Sequence, residues 1–146
     1  MTNEKQILAL FKKNGIRSSI QRAAIYKYLL EHKTHPTVDT IYNDLVKEYP
    51  ELSKTTVYNT LHSLYEKKLI QAINIEDSEL RWDADTSNHL HFRCIKCQKI
   101  FDIFDEKNLT KFNDQCKKKL PQGFTLSVIQ TNILGLCKNC SLAKKT

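Results

Sequence analysis

Two kinds of segment are missing from this sequence, and both absences bear on where the protein resides. No apolar run approaches the ~18 residues of a membrane-spanning helix. Residues 1–6 lack the apolar stretch that forms the centre of a secretion signal. We therefore expect a soluble, cytoplasmic protein with no membrane partner.

Glycine is also scarce, with three in 146 residues, which leaves little of it for substrate loops. The HExxH pattern of zinc proteases and the HxE…PCxxC pattern of zinc deaminases are both absent. We therefore expect that the protein is not an enzyme. The alternative is a hydrolytic metal site, in which His89, His91 and a carboxylate hold an ion with an open coordination position.

Four of the five cysteines form two CxxC pairs, Cys94 with Cys97 and Cys137 with Cys140. In a reducing compartment such pairs favour zinc over disulfides, and four thiolates complete a tetrahedral Zn²⁺ site. Thiol redox chemistry is the alternative. The 39 residues between the pairs exceed the ~15–20 of a compact zinc ribbon, so the ion would fasten the C-terminal segment to the first pair. The fifth cysteine, Cys116, has helical core spacing and is expected to be buried.

A second set of metal ligands surrounds the first cysteine pair. Side chains alternate between the faces of a strand, so His89 and His91 would share one face and Cys94 would lie on the other. With a turn near residues 96–97, Asp102 falls opposite His91. Imidazole and carboxylate together suit Fe²⁺ or Mn²⁺, so the pattern predicts a metal site separate from the thiolates.

Two further residues are candidate ligands of that second site. Asp83 lies just before a polar segment that we interpret as a linker. His35 precedes Pro36, which positions it rigidly before a predicted helix, and a capping or surface role is the alternative for it. We expect His32 to be exposed.

The first half of the chain has the apolar periodicity of helices. A first apolar stripe ends at Asn14-Gly15, a pair that commonly terminates a helix. Ser18 and Gln21 fit a capping box that would start a second helix. Thr37 can cap a third helix, whose stripe runs on until Pro50.

A fourth helix is predicted to start at Ser53 and to follow the third after a short link, which is a helix-turn-helix pattern. Residues 69–75 and 80–83 then read as two strands joined by a turn at residues 76–78, like the wing of a winged helix. A generic helical domain with a hairpin is the alternative. In the second half of the chain we predict strands near 89–95, 100–104 and 124–135, with a helix near 105–120.

The net charge of +7 is unevenly distributed. Residues 1–33 hold seven basic residues against two acidic ones. This local excess is a candidate footprint for nucleic acid. A solvated basic face is the alternative.

Six short motifs complete the pattern. They are His35-Pro36-Thr37, Thr56-Val57-Tyr58-Asn59-Thr60-Leu61, Arg81-Trp82-Asp83, His89-Leu90-His91-Phe92, Cys94-x-x-Cys97 and Cys137-x-x-Cys140. In their order and spacing, from about residue 4 to residue 140, they resemble the ferric uptake regulator (Fur) superfamily. Among its branches, the chain looks most like the peroxide-responsive repressors (PerR).

The resemblance implies an α+β fold with two domains. Residues 1–84 would form an N-terminal winged helix-turn-helix domain that binds DNA. Residues 85–88 would be a linker, and residues 89–146 a small α/β dimerisation and metal-binding domain stapled by zinc. The partners implied are a second copy of the chain, in a homodimer, and operator double-stranded DNA.

The resemblance also implies the roles of the metals, structural for Zn²⁺ and regulatory for Fe²⁺ or Mn²⁺. It makes His35 a ligand of the regulatory ion, together with Asp83, His89, His91 and Asp102. In the peroxide branch, Fe²⁺ reduces peroxide and a ligand histidine is oxidised; here His35 or His89 would be the target. The iron-uptake branch usually has glutamate where this chain has Asp83 and Asp102, which favours peroxide sensing.

Eight residues are predicted to contact DNA. Three are basic residues whose contribution to affinity would fall with salt, namely Lys13, Arg17 and Arg22. Five lie on the fourth helix, with Thr55 and Thr56 towards phosphates and with Tyr58, Asn59 and His62 towards the groove. Related repressors often carry arginine at the position of His62, which leaves the operator preference open.

The sequence thus predicts a metal-dependent transcriptional repressor of the peroxide stress response. A repressor that responds to iron or another metal without sensing peroxide is the alternative within the family. Outside it, a zinc-stapled protein-interaction module without a DNA role would be insensitive to changes at Tyr58 or Asn59.

Overall fold

A computed structural model of the chain describes residues 3–75 and 79–142. The chain divides into two units, Met1–Thr86 and Ser87–Thr146. Among the described helices, none has the length and apolar character needed to cross a membrane.

The first unit consists of helices followed by a small sheet. Its helices are α1 (Glu4–Lys13), α2 (Ile20–Glu31), α3 (Val38–Leu45) and α4 (Lys54–Glu66). Its strands, β1 (Gln71–Ile73) and β2 (Arg81–Asp83), pair antiparallel with Ala72 opposite Trp82. The predicted turn at residues 76–78 lies outside the described residues.

Side-chain caps start the helices of this unit. Thr37 Oγ1 accepts the Thr40 amide at 3.1 Å, and Ser53 Oγ accepts the Thr56 amide at 3.0 Å, so both predicted caps are confirmed. The predicted cap of α2 is wrong by one residue. Ser19, rather than Ser18, caps the helix and accepts the Arg22 amide at 3.2 Å.

The third helix is shorter than its apolar stripe. It ends at Leu45, whose carbonyl accepts the Tyr49 amide at 2.8 Å in the turn that follows. The prediction that α3 continues until Pro50 is therefore wrong. Lys54 Nζ lies 2.8 Å from Asp39 Oδ1, which joins the first turns of α4 and α3.

Apolar residues from all four helices and from β2 form the core of the first unit. Burying such side chains is the main stabilising term of the fold, at about 25 cal/mol for each Å² of apolar surface. The most fully buried of these residues include Ile7, Phe11, Ile25, Ile41, Val57, Leu61, Leu64 and Trp82. The helix-turn-helix of α3 and α4 thus rests on a core that leaves the opposite face of α4 exposed.

The second unit is a three-stranded sheet with two helices. Its elements are β3 (Leu90–Cys94), β4 (Ile100–Ile103), α5 (Glu106–Lys118), β5 (Asn132–Gly135) and α6 (Lys138–Leu142). β3 lies in the centre, antiparallel to β4 and parallel to β5. The fold is therefore α+β, as predicted: a mainly helical N-terminal part with a two-stranded sheet, followed by a smaller part that contains the three-stranded sheet.

Three details of the second unit differ from the sequence prediction. The last strand spans only Asn132–Gly135 instead of residues 124–135. The short helix α6, which the sequence does not predict, begins directly after Cys137 and contains Cys140. Cys116 is half-buried instead of a core residue, and Leu109 is the one buried residue of α5.

Candidate metal centres and nucleic-acid interface

The four paired cysteines meet at one point of the second unit. The first pair begins at Cys94, the last residue of β3, and the second pair lies where β5 leads into α6. The four sulfur atoms all lie within 4.8 Å of one another; they belong to Cys94, Cys97, Cys137 and Cys140. The Cys97 and Cys137 sulfurs are 3.8 Å apart, which matches the edge of about 3.8 Å in a tetrahedron of sulfurs about 2.3 Å from Zn²⁺.

The electrostatics of this cluster also suit a cation. The amides of Cys137 and Cys97 donate to Cys94 Sγ at 3.4 and 3.5 Å and lower the pKa of Cys94 to about 6. Desolvation, followed by contacts with the other sulfurs, raises the pKa of Cys140 to about 12. The first thiolate therefore forms readily, whereas the last needs a positive charge beside it. Zn²⁺ supplies that charge, and the cluster fits structural zinc.

A triad of two histidines and one aspartate lies at the paired strands β3 and β4: His89 immediately precedes β3, His91 is in β3 and Asp102 is in β4. His91 is directly opposite Asp102 in the antiparallel ladder, the register that the cysteine turn predicts. Asp102 Oδ1 lies 3.5 Å from Nε2 of His89 and 3.7 Å from Nε2 of His91. Both distances exceed the ~2.7–3.2 Å of a direct hydrogen bond. They leave room for an ion among the three donors, and this ligand set is typical of Fe²⁺.

A backbone carbonyl orients His89 within the triad. Its Nδ1 lies 3.0 Å from the carbonyl oxygen of Ser87. Because a carbonyl only accepts, Nδ1 is the donor in this contact, and Nε2 is the ring nitrogen that can serve as a metal ligand. The Nε2 atom is the one that points to Asp102.

The first unit holds a second pair of ligands, His35 and Asp83. Their Nε2 and Oδ2 atoms are 3.7 Å apart, and the side chains are 2% and 7% exposed. The Asp85 amide donates to Asp83 Oδ1 at 2.8 Å, so this oxygen is occupied and Oδ2 faces the imidazole. Nitrogen and carboxylate donors of this kind suit the same ions as the triad, Fe²⁺ or Mn²⁺.

Helix α4 exposes the face on which the DNA contacts are predicted. Thr55, Tyr58, Asn59 and His62 are exposed, whereas Thr56 is half-buried with its hydroxyl 2.9 Å from that of Ser53.

The aromatic groups of this face lie near one another. The rings of Tyr58 and His62 have centroids 6.2 Å apart, and His62 Nδ1 is 3.6 Å from Glu66 Oε1. The exposed surface of α4 therefore combines hydroxyl, amide and aromatic groups, the types that read base edges and phosphates.

The three predicted basic contacts lie near the junction of α1 and α2. Lys13 and Arg17 are exposed. Arg22 is half-buried and donates from Nη1 to the Arg17 carbonyl at 3.1 Å.

Sequence reasoning missed the groups that orient the ligands. The Ser87 carbonyl and the Asp85 amide are backbone groups, which no residue type could reveal. Arg81, in contrast, is in the Arg81-Trp82-Asp83 motif and contacts the backbone carbonyl of His35.

The amino-acid sequence of the chain is similar to that of a known protein family. Residues 13–133 match the model of the Ferric uptake regulator family. The peroxide operon regulator of Bacillus subtilis (strain 168) is 36% identical over 137 residues, which cover 94% of this chain and 92% of that protein.

Two solved structures have the same fold over almost the whole chain. The Helicobacter pylori ferric uptake regulator, which has three functional metal-binding sites, matches with a TM-score of 0.73 and 25% identity over 96% of this chain and 95% of that one. The Campylobacter jejuni peroxide stress regulator matches with a TM-score of 0.69 and 29% identity, covering 96% of this chain and 100% of that one. The chain belongs to the ferric uptake regulator family.

Proposed function

We propose that this protein is a metal-dependent transcriptional repressor that binds operator DNA as a homodimer and senses peroxide. One observation carries the proposal: the imidazole and carboxylate ligands are divided between the two units. His35 and Asp83 belong to the unit that contains the helix-turn-helix, and the triad belongs to the other. An ion shared by both sets would couple the position of the DNA-binding unit to metal binding.

The coupling works through differential affinity. A metal ion shifts the population only if it binds one arrangement of the units more tightly than the others. Moving a 1:99 equilibrium to 99:1 takes about 5.5 kcal/mol, which two additional ligands recruited in one arrangement can supply. By linkage, DNA that binds this arrangement strengthens metal binding by the same factor.

The second unit has a surface suited to a homodimer. Phe92 and Phe101 are cross-strand partners with ring centroids 6.3 Å apart. Phe101 is nevertheless 42% exposed, and Ile103 and Phe104 are 37% and 62% exposed. Contiguous exposed apolar side chains of this kind favour burial against a partner. Most soluble homo-oligomers are two-fold dimers that pair the same patch of each copy.

A dimer would also present two copies of α4. Helix-turn-helix dimers bind two half-sites about 34–36 Å apart, with the recognition helix of each copy in the major groove. Metal-dependent positioning of the first unit would set this spacing. The exposed side chains of Tyr58, Asn59 and His62 would then read the bases.

Peroxide sensing follows from the ligand chemistry. Fe²⁺ at these ligands would reduce peroxide and supply the oxidant that adds oxygen to an imidazole. The side chains of His35 and His89, which are 2% and 0% exposed, would be the targets. An imidazole that has gained oxygen is a weaker nitrogen donor, so the units would be released from the DNA-binding arrangement. The names of the relatives from Bacillus subtilis and Campylobacter jejuni support this proposal over metal sensing alone.

Binding to a selected DNA duplex tests the proposal. The Mn²⁺-loaded protein would select a duplex from a randomised library, and its affinity would then be measured for Mn²⁺-loaded and Fe²⁺-loaded protein before and after sub-stoichiometric peroxide. We expect binding to be lost only in the Fe²⁺ form. Mass spectrometry should then find about 16 Da added to His35 or His89.

The peptide that ends at Lys33 contains His32 and serves as an internal control, because His32 is exposed and outside the ligand set. Intact DNA binding and unmodified histidines in both forms would exclude peroxide sensing and leave a repressor that responds to the metal alone. Absence of any metal-dependent duplex selection would overturn the repressor proposal itself.

A further inference from the structure

The backbone of His35 has an unusual conformation. Its φ is +52°, in the left-handed region that few residues other than glycine adopt. The following residue is Pro36, and a residue before proline normally takes an extended conformation. Such a conformation persists only where the surrounding structure holds it.

Three consecutive residues of strand β2 contact His35 and Pro36 and stabilise this conformation. The backbone amide of Trp82 donates to the Pro36 carbonyl at 3.1 Å. Arg81 Nη1 lies 3.5 Å from the His35 carbonyl oxygen, a long contact that the guanidinium charge makes attractive. The next residue, Asp83, faces the His35 imidazole at 3.7 Å. Three neighbours on one strand thus act on the two carbonyls and the imidazole of the His35–Pro36 pair.

The strand itself is firmly fixed. The Trp82 side chain is 2% exposed, and the ring of Tyr65 packs edge-on against it with centroids 6.3 Å apart. Ala72 pairs with Trp82 in the ladder with β1. On the other side of the pair, Thr37 caps α3. The His35–Pro36 pair is therefore held between a rigid strand and the first turn of a helix.

We infer that Arg81 is a positioning residue for the metal ligand His35: with the Trp82 amide, its guanidinium holds the left-handed backbone so that the imidazole faces Asp83 before any ion binds. This inference rests on the proposed function, because it assumes that His35 and Asp83 are ligands. Its consequence is that the DNA-binding unit carries a pre-formed pair of ligands. Less free energy is then spent on ordering His35 when the ion binds.

Metal affinity tests this role in the full-length, zinc-loaded protein. Arg81→Met removes the charge and the donors but keeps an apolar stem, and Arg81→Lys keeps the charge and one donor group. Lys5→Met is the matched control, since it removes an exposed cation elsewhere in the same unit. Mn²⁺ affinity would be measured by calorimetry, with zinc content and thermal midpoint recorded for each variant.

We expect Arg81→Met to weaken Mn²⁺ binding about 10-fold to 100-fold, as loss of an outer-shell partner of a metal ligand usually does. Arg81→Lys should restore part of the affinity, and Lys5→Met should leave it unchanged. Wild-type affinity in Arg81→Met, together with a loss in His35→Ala, would overturn the positioning role. Wild-type affinity in His35→Ala would instead overturn the ligand set of the proposed function.

A measurement on the unaltered protein applies even if Arg81→Met fails to fold. The ¹³Cα and ¹³Cβ chemical shifts of His35 report the sign of φ in protein that carries zinc but no Mn²⁺ or Fe²⁺. We expect values typical of a single left-handed conformation. Values typical of an extended or averaged backbone would show that His35 is not held before the ion binds, and the inference would fail.

Discussion

His91 and Asp102 are directly opposite each other on β3 and β4, with 3.7 Å between Nε2 and Oδ1. Their pairing depends on the turn that the first cysteine pair makes between the two strands. The Cys94 amide donates to the Lys99 carbonyl at 3.0 Å, and the Gln98 amide donates to the Cys94 carbonyl at 2.9 Å. The residues that form the zinc cluster therefore also set the register of the triad.

Replacing Asp102 tests the triad. Asp102→Asn keeps the shape of the side chain but removes the charge that lies within 3.7 Å of both imidazoles. Loss of an outer-shell partner of a metal ligand weakens metal binding by up to about 100-fold. Because Asp102 would be a direct ligand, we expect Mn²⁺ affinity to fall by at least that factor, while zinc content stays constant. Calorimetry measures the first and elemental analysis the second. Asp114→Asn on the exposed surface of α5 is the control, and equal losses in both variants would contradict a specific role for Asp102.

Removing one cysteine of the zinc cluster should destabilise the second unit. Structural zinc contributes about 10–16 kcal/mol in small peptides, and Cys137 fastens the end of β5 to the Cys94 turn. We expect Cys137→Ser to lose bound zinc and the cooperative thermal unfolding of this unit. Cys116→Ser changes a cysteine outside the cluster and should keep both. Full zinc occupancy in Cys137→Ser would contradict the four-sulfur site.

The triad and the cysteine cluster could be predicted because ligand type and the alternation of side chains along a strand can both be read from a few neighbouring residues. Alternation separates His91 from Cys94, and the CxxC turn fixes the partner of His91. The extent of β5 depended instead on a distant partner. β3 offers parallel pairing only from His91 to Cys94, so pairing begins at Asn132. Phe124 and Val128 have strand propensity but stay 66% and 62% exposed.

The contacts that fix the backbone of His35 could not be predicted for a similar reason. It joins residues 46 positions apart, and the bond to Pro36 comes from a backbone amide. A histidine before proline also predicts an extended backbone, the opposite of the conformation found. The α2 cap was missed by one residue because Ser18 and Ser19 are equally suitable in sequence.

Gly135 allows the sheet to pack closely. A Cβ at this position would lie 3.0 Å from Cε2 and 3.1 Å from Cζ of Phe92. We expect Gly135→Ala to reduce the free energy of unfolding by about 1 kcal/mol, the low end of overpacking effects, because a ring edge can shift slightly. Chemical denaturation of the zinc-loaded protein measures this loss. Phe92→Leu in the same chain should relieve it, and strictly additive losses would contradict the contact.

A hydrogen bond between α2 and α3 should make stability depend on pH. The Tyr28 hydroxyl donates to Asp44 Oδ2 at 2.6 Å. Burial, with this bond and the carboxylate charge, raises the pKa of Tyr28 to about 12, and the same bond lowers the pKa of Asp44. The lowered pKa gives stability that is present above about pH 4 and is lost as Asp44 is protonated. The raised pKa gives stability that is present below about pH 10 and is lost as the pH rises through about 12.

Tyr28→Phe should therefore lower the thermal midpoint most between about pH 5 and pH 9, with a smaller difference from wild type at both extremes. Asp44→Ala, which removes the accepting oxygen, should give a similar loss near neutral pH. In the double variant the two losses should not add, since both remove one bond. A gap between wild type and Tyr28→Phe that is constant from acid to alkaline pH would contradict the assignment of stability to this pair.

The exposed face of α4 gives the last prediction. Asn59 can bond two groups of one base, and loss of a good bidentate contact costs about 1–3 kcal/mol. Asn59→Ala should therefore weaken binding of the Mn²⁺-loaded protein to its selected duplex by about 5-fold to 150-fold, and it should relax the sequence preference at one position. Lys13→Met should instead weaken all duplexes alike and reduce the slope of log affinity against log salt by about one. Lys67→Met, at the far end of α4, should change neither quantity. If Asn59→Ala bound every duplex like the wild type, α4 would not be the helix that reads the operator. DNA binding would then rest on sequence-independent contacts between the basic residues near α1 and the phosphates.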